Sequence, residues 1–284
     1  MSNIAFVNGR YLYQKDAFVN IEDRGYQFSD GVYEVIAVSN SNLIDVEPHL
    51  DRLGRSLSEL NIGWPCKRRV LNLILNVVIK RNFLKEGILY LQITRGVAPR
   101  GHPFPSKVVR PSLIVTANRK GLSSHLLYKK GVKVVTAREN RWARRDIKSV
   151  SLLPNVLAKQ FAIDNDAFET WLVDNNFEIT EGASTNAWIV LEDGELVTRH
   201  LSPEILSGIT RMKIIELAKK NKFKVNERPF TVEEAIRAKE AFLTSTTSLV
   251  MPVIAIDGIK IGNGKPGKVS LDLLALYREH MSKK

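Results

Sequence analysis

The sequence predicts an α+β fold of two subdomains, and three observations predict it. Short apolar runs of strand length recur along the chain, bounded by turn residues. Stretches with helical spacing are mixed among them. A polar segment, Asn118-Arg119-Lys120-Gly121-Leu122-Ser123-Ser124, reads as a linker near residue 120. The boundaries that follow are 1–118, a linker at 119–127, and 128–284. At 284 residues, 44% of them hydrophobic and 25% charged, the chain can bury a sizeable core.

Each element follows in order. Residues 4–21 alternate around Asn8-Gly9, which reads as a hairpin turn. Two strand-like runs, Val32–Val38 and Leu43–Val46, flank Ser39-Asn40-Ser41-Asn42. Pro48 suits a helix start, and Leu50, Leu53, Leu57 and Leu60 mark one helical face. A second helix covers about Arg68 to Phe83, followed by strands at Gly87–Arg95 and Ser112–Asn118. Beyond the linker come a strand at Val132–Ala137 and a helix from Pro154 to about Asn165. Strands at Thr170–Val173 and Ala187–Leu191 bracket an acidic motif. Helices are expected at 210–221 and 231–238, the second with Thr231 and Glu234 at capping-box spacing. A strand at Ala241–Thr244 precedes a hydroxyl-rich loop, and a helix begins near Val269.

Composition narrows the function. The single cysteine, Cys66, excludes an internal disulfide framework, and no cysteine–histidine cluster has zinc-ligand spacing. A cytoplasmic location is the expectation. The N-terminus lacks the basic head and apolar stretch of a signal peptide. The most apolar run, Val70 to Ile79, is too short to span a bilayer and reads as a buried helix. The formal charge is +12, but its positive residues are spread along the chain. The densest cluster, Arg138, Arg141, Arg144, Arg145 and Lys148, has only Trp142 interleaved. A basic surface with some charge turned toward an anionic ligand is favoured over nucleic-acid binding. The run Gly262-Asn263-Gly264-Lys265-Pro266-Gly267 matches a dinucleotide fingerprint, but the required second strand has no room before Lys284. A surface loop is expected there.

Several stations carry chemistry. Lys148 lies 33 residues before Glu181, which opens Glu181-Gly182-Ala183-Ser184-Thr185-Asn186. A pyridoxal phosphate enzyme needs such a pair. The lysine amine forms a Schiff base with the cofactor aldehyde, and the acid holds a proton on the pyridine nitrogen. Lys148 stands between Ile147 and Val150, where partial burial and neighbouring arginines favour its neutral form. Taken alone, Lys148 reads as an exposed lysine, Glu181 as a surface loop acid and Arg52 as a solvated helix arginine. Ser207-Gly208-Ile209-Thr210 precedes a helix and suits a phosphate, or is an ordinary cap. Thr244-Ser245-Thr246-Thr247-Ser248 can wrap an anion or simply turn the chain. Arg100 and His102 lie on a loop stiffened by Pro99, Pro103 and Pro105, a good grip for a carboxylate.

Together these segments resemble the class IV, fold-type IV pyridoxal phosphate-dependent aminotransferases, and within them the bacterial D-amino acid enzymes. The resemblance covers nearly the whole chain. It runs through residues 22–34, 94–105, Arg141-Trp142 to Lys159, Thr180–Asn186, Gly208–Arg211 and Thr244–Ser248. It implies a small N-terminal α/β domain and a larger C-terminal domain with a pseudo-barrel, the cofactor lying between them. It also implies that Lys148 bonds the cofactor and then shuttles a proton between the substrate α-carbon and cofactor C4′. Glu181 would pair with the pyridine nitrogen. Arg52, Ile209, Thr210 and Thr246 would hold the phosphate, with Ser245 as a weaker contributor. Leu206 would pack on the ring face away from the lysine. Tyr33, Arg100 and His102 would trap the substrate α-carboxylate, with a loop from a second subunit, so a homodimer is implied.

The trap implies the substrate class. In D-specific members the carboxylate sits on the tyrosine–arginine–histidine side, whereas branched-chain members lack the Arg-x-His loop. The expected reaction is ping-pong transamination between a D-alanine-like donor and 2-oxoglutarate or pyruvate. Branched-chain L-amino acid or R-amine transamination and aminodeoxychorismate lysis are the alternatives on the same fold. One departure stands out. Ala183 and Thr185 occupy positions where the D-amino acid enzymes tend to have serines, which bears on side-chain preference.

Overall fold

The computed structural model describes residues 3–119 and 125–283. Asn8 and Gly9 both take positive φ, 47° and 98°, as a two-residue hairpin turn requires. They join β1 (Ile4–Val7) to β2 (Arg10–Tyr13), paired antiparallel, and the pairing ends at Tyr13. Next come α1 (Arg24–Phe28), β3 (Gly31–Ser39) and β4 (Asn42–Leu43). Then follow α2 (Val46–Glu59), α3 (Arg68–Arg81), β5 (Gly87–Thr94) and β6 (Ser112–Asn118). The strands form one antiparallel sheet in the order β2-β1-β6-β5-β3-β4.

The expected strand Leu43–Val46 is a correction: β4 stops at Leu43, and Val46 already opens α2. Asp45 at φ 50° breaks the extended run and turns the chain into the helix. The leucine face predicted for that helix is real. Leu50, Leu53 and Leu57 are buried with α3 residues Leu71, Leu75 and Val78 against Val32, Ile36 and Val38 of β3. At about 1.5–3 kcal/mol per fully buried aliphatic side chain, this layer dominates the unit's stability.

The chain divides into two units, one of Met1–Leu122 with Ile147–Ser151, the other of Ser123–Asp146 with Leu152–Lys283. The lysine segment therefore goes with the first unit, interrupting the continuous 128–284 domain read from the sequence. Its attachment is a backbone one. Ser149 bridges Val32, the Tyr33 N–H donates to the Lys148 carbonyl, and the Val150 N–H donates to the Gly31 carbonyl. Of the expected linker 119–127, residues 120–124 lie outside the described residues, and the helix α4 (His125–Lys130) takes up its end.

The second unit continues with β7 (Val132–Arg138), α5 (Leu153–Asp164), β8 (Glu169–Val173), β9 (Ile179–Gly182), β10 (Asn186–Val190) and β11 (Leu196–Thr198). After these come α6 (Ile209–Lys220), β12 (Val225–Glu227), α7 (Val232–Arg237), β13 (Glu240–Ser245), β14 (Leu249–Ile256), β15 (Ile259–Lys260) and α8 (Lys268–Ser282). The Thr231 side chain caps α7 as its spacing predicts, accepting from the Glu234 N–H. Residues 262–267 are a loop, not a nucleotide turn.

The sheet of this unit runs β12-β11-β10-β13-β14-β7-β8-β9, with β15 on β14. Only residues 183–185 separate β9 from β10 in the chain. Along the sheet, four strands stand between them. Laid flat, those steps would span about 24 Å. The connection can reach only about 14 Å. The sheet must curl until β9 comes back toward β10, which is the expected pseudo-barrel. Several of its strands escaped the sequence reading. β11 and β12 have three residues each, and β9 was absorbed into the acidic motif.

Candidate active site

In the first unit, successive side chains of β3 point to opposite faces, so Val32, Glu34, Ile36 and Val38 share a buried face while Tyr33 looks the other way. That face is apolar except for Glu34, which is fully buried. A buried carboxylate requires partners, and α2 supplies them at helical spacing. Arg52 donates from Nε and Nη2 to the two Glu34 oxygens at 2.8 and 2.7 Å. His49 Nδ1 lies 2.7 Å from Glu34 Oε2 and donates to it. Burial alone would raise the Glu34 carboxyl, but Arg52 and then His49 pull it down to about 2. Burial holds the His49 pKa below its ordinary value, partly offset by Glu34, so the ring is neutral. Arg52 is thus not a solvated helix arginine but a buried one fixed by Glu34.

One turn further along α2, Ser56 accepts from the Lys148 backbone N–H at 3.2 Å. With the Lys148 carbonyl held by Tyr33, both backbone polar groups of this lysine are committed. Its half-buried side chain carries Nζ to 4.1 Å from the centre of the Tyr33 ring. Tyr33 in turn stacks on Tyr90, their centroids 5.7 Å apart. Lys148 and Tyr33 are therefore brought together. Arg100 and His102 are exposed, and both stand on Phe28: the Arg100 guanidinium is 4.7 Å and the His102 ring 5.5 Å from its centroid. Among the described residues no hydrogen bond or ring contact joins Tyr33 to Arg100 or His102.

In the second unit Glu181 is not a loop acid. It lies in β9 and is 4% exposed. Its Oε1 accepts from Arg141 Nη1 at 2.8 Å. Its Oε2 accepts from Asn186 Nδ2 and from the Leu206 N–H, each at 3.0 Å. Arg141 also grips Glu139 through Nε and Nη2 at 2.9 and 2.6 Å. Burial raises the Glu181 carboxyl above its ordinary value, and Arg141 opposes this only in part. Burial also opposes the Arg141 charge, yet Glu181 and Glu139 hold its pKa above the ordinary guanidinium value. Arg145 Nε also stands 3.8 Å from Glu139, so Arg141 is the guanidinium bonded to Glu181 and Glu139 is shared by both arginines. A basic, buried Glu181 is suited to keep a proton on a ring nitrogen.

Asn186 is the hub that sequence reasoning missed. Its Nδ2 holds Glu181 and the Leu206 carbonyl. Its backbone pairs with Thr244, where the hydroxyl loop 244–248 begins. Its Oδ1 lies 2.0 Å from where a Cβ on Gly208 would stand, so only glycine fits at that position. Gly208 caps α6, whose first residues, Ile209 and Thr210, are buried. Backbone N–H groups at a helix start lack helical acceptors and face an anion readily. Leu206 is half-buried with both backbone groups pinned. The hydroxyl loop is ordered internally: Ser245 Oγ accepts from the Ser248 N–H and lies 3.3 Å from the Thr247 hydroxyl. Thr246 sits half-buried at its tip.

The two departures differ in setting. Ala183 packs with Ala158 and Leu172 in a small apolar cluster. The Thr185 hydroxyl is buried with no hydrogen-bond partner among the described residues.

Residues 31–256 match the family model for class IV amino-transferases. The chain is 39% identical over 263 residues to a D-alanine aminotransferase of Bacillus licheniformis, covering 93% of this chain and 92% of that one. It is 37% identical over 276 residues to a D-alanine aminotransferase of Listeria innocua, covering 97% and 95%. Among solved structures, a branched-chain amino acid aminotransferase of Escherichia coli shares the fold. Its TM-score is 0.91 at 24% identity, covering 98% of this chain and 94% of that one. No helix among the described residues is long and apolar enough to cross a membrane. With its curled sheet, its full-length relatives and a family model spanning most of its length, this chain belongs to the class IV aminotransferases, a pyridoxal phosphate-dependent family.

Proposed function

We propose that this chain moves the amino group of a D-amino acid, D-alanine or one like it, to 2-oxoglutarate or pyruvate by a ping-pong reaction using pyridoxal phosphate. The observation that carries this reading is the near-full-length identity with D-alanine aminotransferases. The fold alone does not separate it from branched-chain enzymes, which share it. The presence of Arg100 and His102 on one stiff loop favours the D-specific reading.

The residues fit the cofactor. Glu181, a buried acid whose pKa burial raises, would take the pyridine N–H. The Gly208 cradle and the start of α6 take the phosphate through Ile209 and Thr210, with Thr246 and Ser245. Arg52 adds a cation held rigid by Glu34. When bound, the cofactor supplies an aldehyde that accepts an amine and a ring that draws electrons from the substrate α-carbon. Lys148 Nζ would hold that aldehyde and, when free, would carry the proton of the substrate α-carbon. Its pinned backbone leaves the side chain as the moving part. Leu206 would cover a ring face and exclude water. Tyr33, Arg100 and His102 bind the α-carboxylate by charge-assisted hydrogen bonds.

The protein is read as a cytoplasmic homodimer. A lone cysteine supports a reducing location. Exposed Phe18, Ile21, Tyr26 and Phe104 support coverage by a second copy. The test is an assay of D- against L-alanine with 2-oxoglutarate. Turnover confined to the D-form, with a visible-edge absorbance band lost on borohydride treatment, is expected. Preference for L-alanine or L-leucine, or pyruvate release from aminodeoxychorismate without an acceptor, would replace the reading.

A further inference from the structure

We infer that Arg24, with Phe28, is the positioning residue that presents the arginine–histidine loop to the substrate carboxylate; this rests on the reading of Arg100 and His102 as carboxylate contacts. Arg24 is 3% exposed, which is unusual for an arginine. Its charge is held by Asp30, whose Oδ2 accepts from Arg24 Nε at 2.8 Å. The same Asp30 also accepts from Arg95 Nε at 2.7 Å and Nη2 at 3.0 Å. Two guanidiniums on one carboxylate leave donors over, and these go to backbone carbonyls. Arg95 donates to Asn61 and Leu60. Arg24 donates from Nη1 to the Gly101 carbonyl at 2.6 Å and from Nη2 to the His102 carbonyl at 3.2 Å.

Those two carbonyls belong to the peptide planes on either side of the His102 Cα. Fixing both planes fixes φ and ψ of His102, and Pro103 narrows that residue's choice further. The side chains are ordered from the other direction. The Arg24 guanidinium lies 4.8 Å from the Phe28 centroid, Arg100 lies 4.7 Å from it, and His102 packs on it at 5.5 Å. Phe28 is thus a shared platform for the backbone anchor and for both presenting side chains. Nothing else in the described structure gives the exposed Arg100 a fixed direction. A carboxylate clamp gains from holding its donors still before the ligand arrives. Removing the anchor should therefore weaken capture of carboxylates without touching the cofactor.

The experiment uses the holoenzyme, with D-alanine and 2-oxoglutarate as probes. Arg24→Gln should raise KM for both by roughly 10- to 100-fold, as misplacing a binding group does. The kcat should stay within about twofold, and the cofactor titration should be unchanged. Arg24→Lys, which keeps the charge but loses the fork, should fall between. Arg100→Ala alone tests the underlying reading, and adding it to Arg24→Gln should give far less than the product of the two effects. If Arg100→Ala leaves both KM values unchanged, the carboxylate reading fails. If Arg100→Ala raises them but Arg24→Gln does not, only the positioning inference fails. Equal losses of kcat and cofactor binding in Arg24→Gln would make it a folding residue and would also overturn the inference. Should Arg24→Gln not fold, Phe28→Leu takes its place with the same expected split and the same overturning results.

Discussion

Glu181→Gln is usually the mildest change available at a carboxylate, since shape is kept. Here the donor set makes it severe. Oε1 faces the Arg141 guanidinium, while Oε2 faces the Asn186 amide and the Leu206 N–H. Every neighbour is a donor. A glutamine must turn its own NH2 toward one side or the other, so either orientation sets donor against donor in a buried place. An unsatisfied buried donor costs about 1–3 kcal/mol, and more when it is charged. Arg141 keeps its fork on Glu139, which limits the loss. A destabilisation of about 2–3 kcal/mol follows, corresponding to a fall in melting temperature of roughly 5–10 °C. Unfolding of the apoprotein reads this effect alone. In the holoenzyme, the role proposed for Glu181 at the ring nitrogen predicts that kcat drops roughly 10²- to 10³-fold. An apoprotein melting within about 1 °C of the parent would refute the donor-set argument. Parental kcat with D-alanine and 2-oxoglutarate would refute the role assigned to Glu181 at the ring.

Lys148→Ala should abolish transamination and the borohydride-sensitive absorbance while a titration still detects weaker cofactor binding; substantial turnover by the purified variant would remove Lys148 from the chemistry. Gly208→Ala places a Cβ 2.0 Å from Asn186 Oδ1 and should cost about 1–3 kcal/mol in thermal unfolding, with loosened cofactor binding; a neutral result would show that Asn186 can move away. Acid should weaken the first unit in two steps, followed by the denaturant midpoint across pH. The folded His49 pKa lies below its ordinary 6.5, so the unfolded chain binds the extra proton and stability begins to fall below that pH. The Glu34 pKa drops from 4.5 to about 2, so its contribution, roughly 3 kcal/mol, is full above 4.5 and is lost as pH falls toward 2. Glu34→Gln should flatten the lower step relative to the parent, and an unchanged slope would exclude Glu34 as its source.

Local signals in the sequence were legible where the cause is local. The Asn8-Gly9 turn, the leucine face of α2 and the Thr231 cap each depend on residues close together in the chain, and each is present. Lys148 and Glu181 were legible as candidates for chemistry. Their surroundings were not. Glu181 owes its hydrogen-bond partners to a guanidinium 40 positions upstream and a backbone N–H 25 positions downstream, and its raised pKa to burial that outweighs them. Only the curl of the sheet makes such partners neighbours. One clue was available: Glu34 sits at an even position of an apolar alternating strand, where an ionised group must have a buried counter-charge. Pairing that signal with the arginine and histidine three apart on the next helix would have found the Glu34–His49–Arg52 cluster.

The basic cluster shows why charge counts mislead about partners. Read as a string, Arg138 to Lys148 is a polycation beside one tryptophan. In the structure its members point at separate tasks. Arg141 bridges Glu139 and Glu181, Arg144 pairs with Asp146, and Arg145 holds the Glu204 carbonyl. These contacts connect. Arg145 also takes the Pro203 carbonyl through its backbone, and Arg199 binds Glu204 from the other side together with Asp174 and Glu178. Residues 203–206 are thereby clamped, and Leu206 delivers its N–H to Glu181 from the end of that clamp. The arginines act as struts that set the height of one backbone donor and the basicity of one acid. A buried carboxylate tuned upward needs a guanidinium nearby to remain tolerable, and that guanidinium needs a second carboxylate to stay in place. Here Glu139 is that second carboxylate. Arg141, Arg145 and Arg199 serve this chain of contacts around Glu181, while Arg138 and Arg144 pair with Asn175 and Asp146.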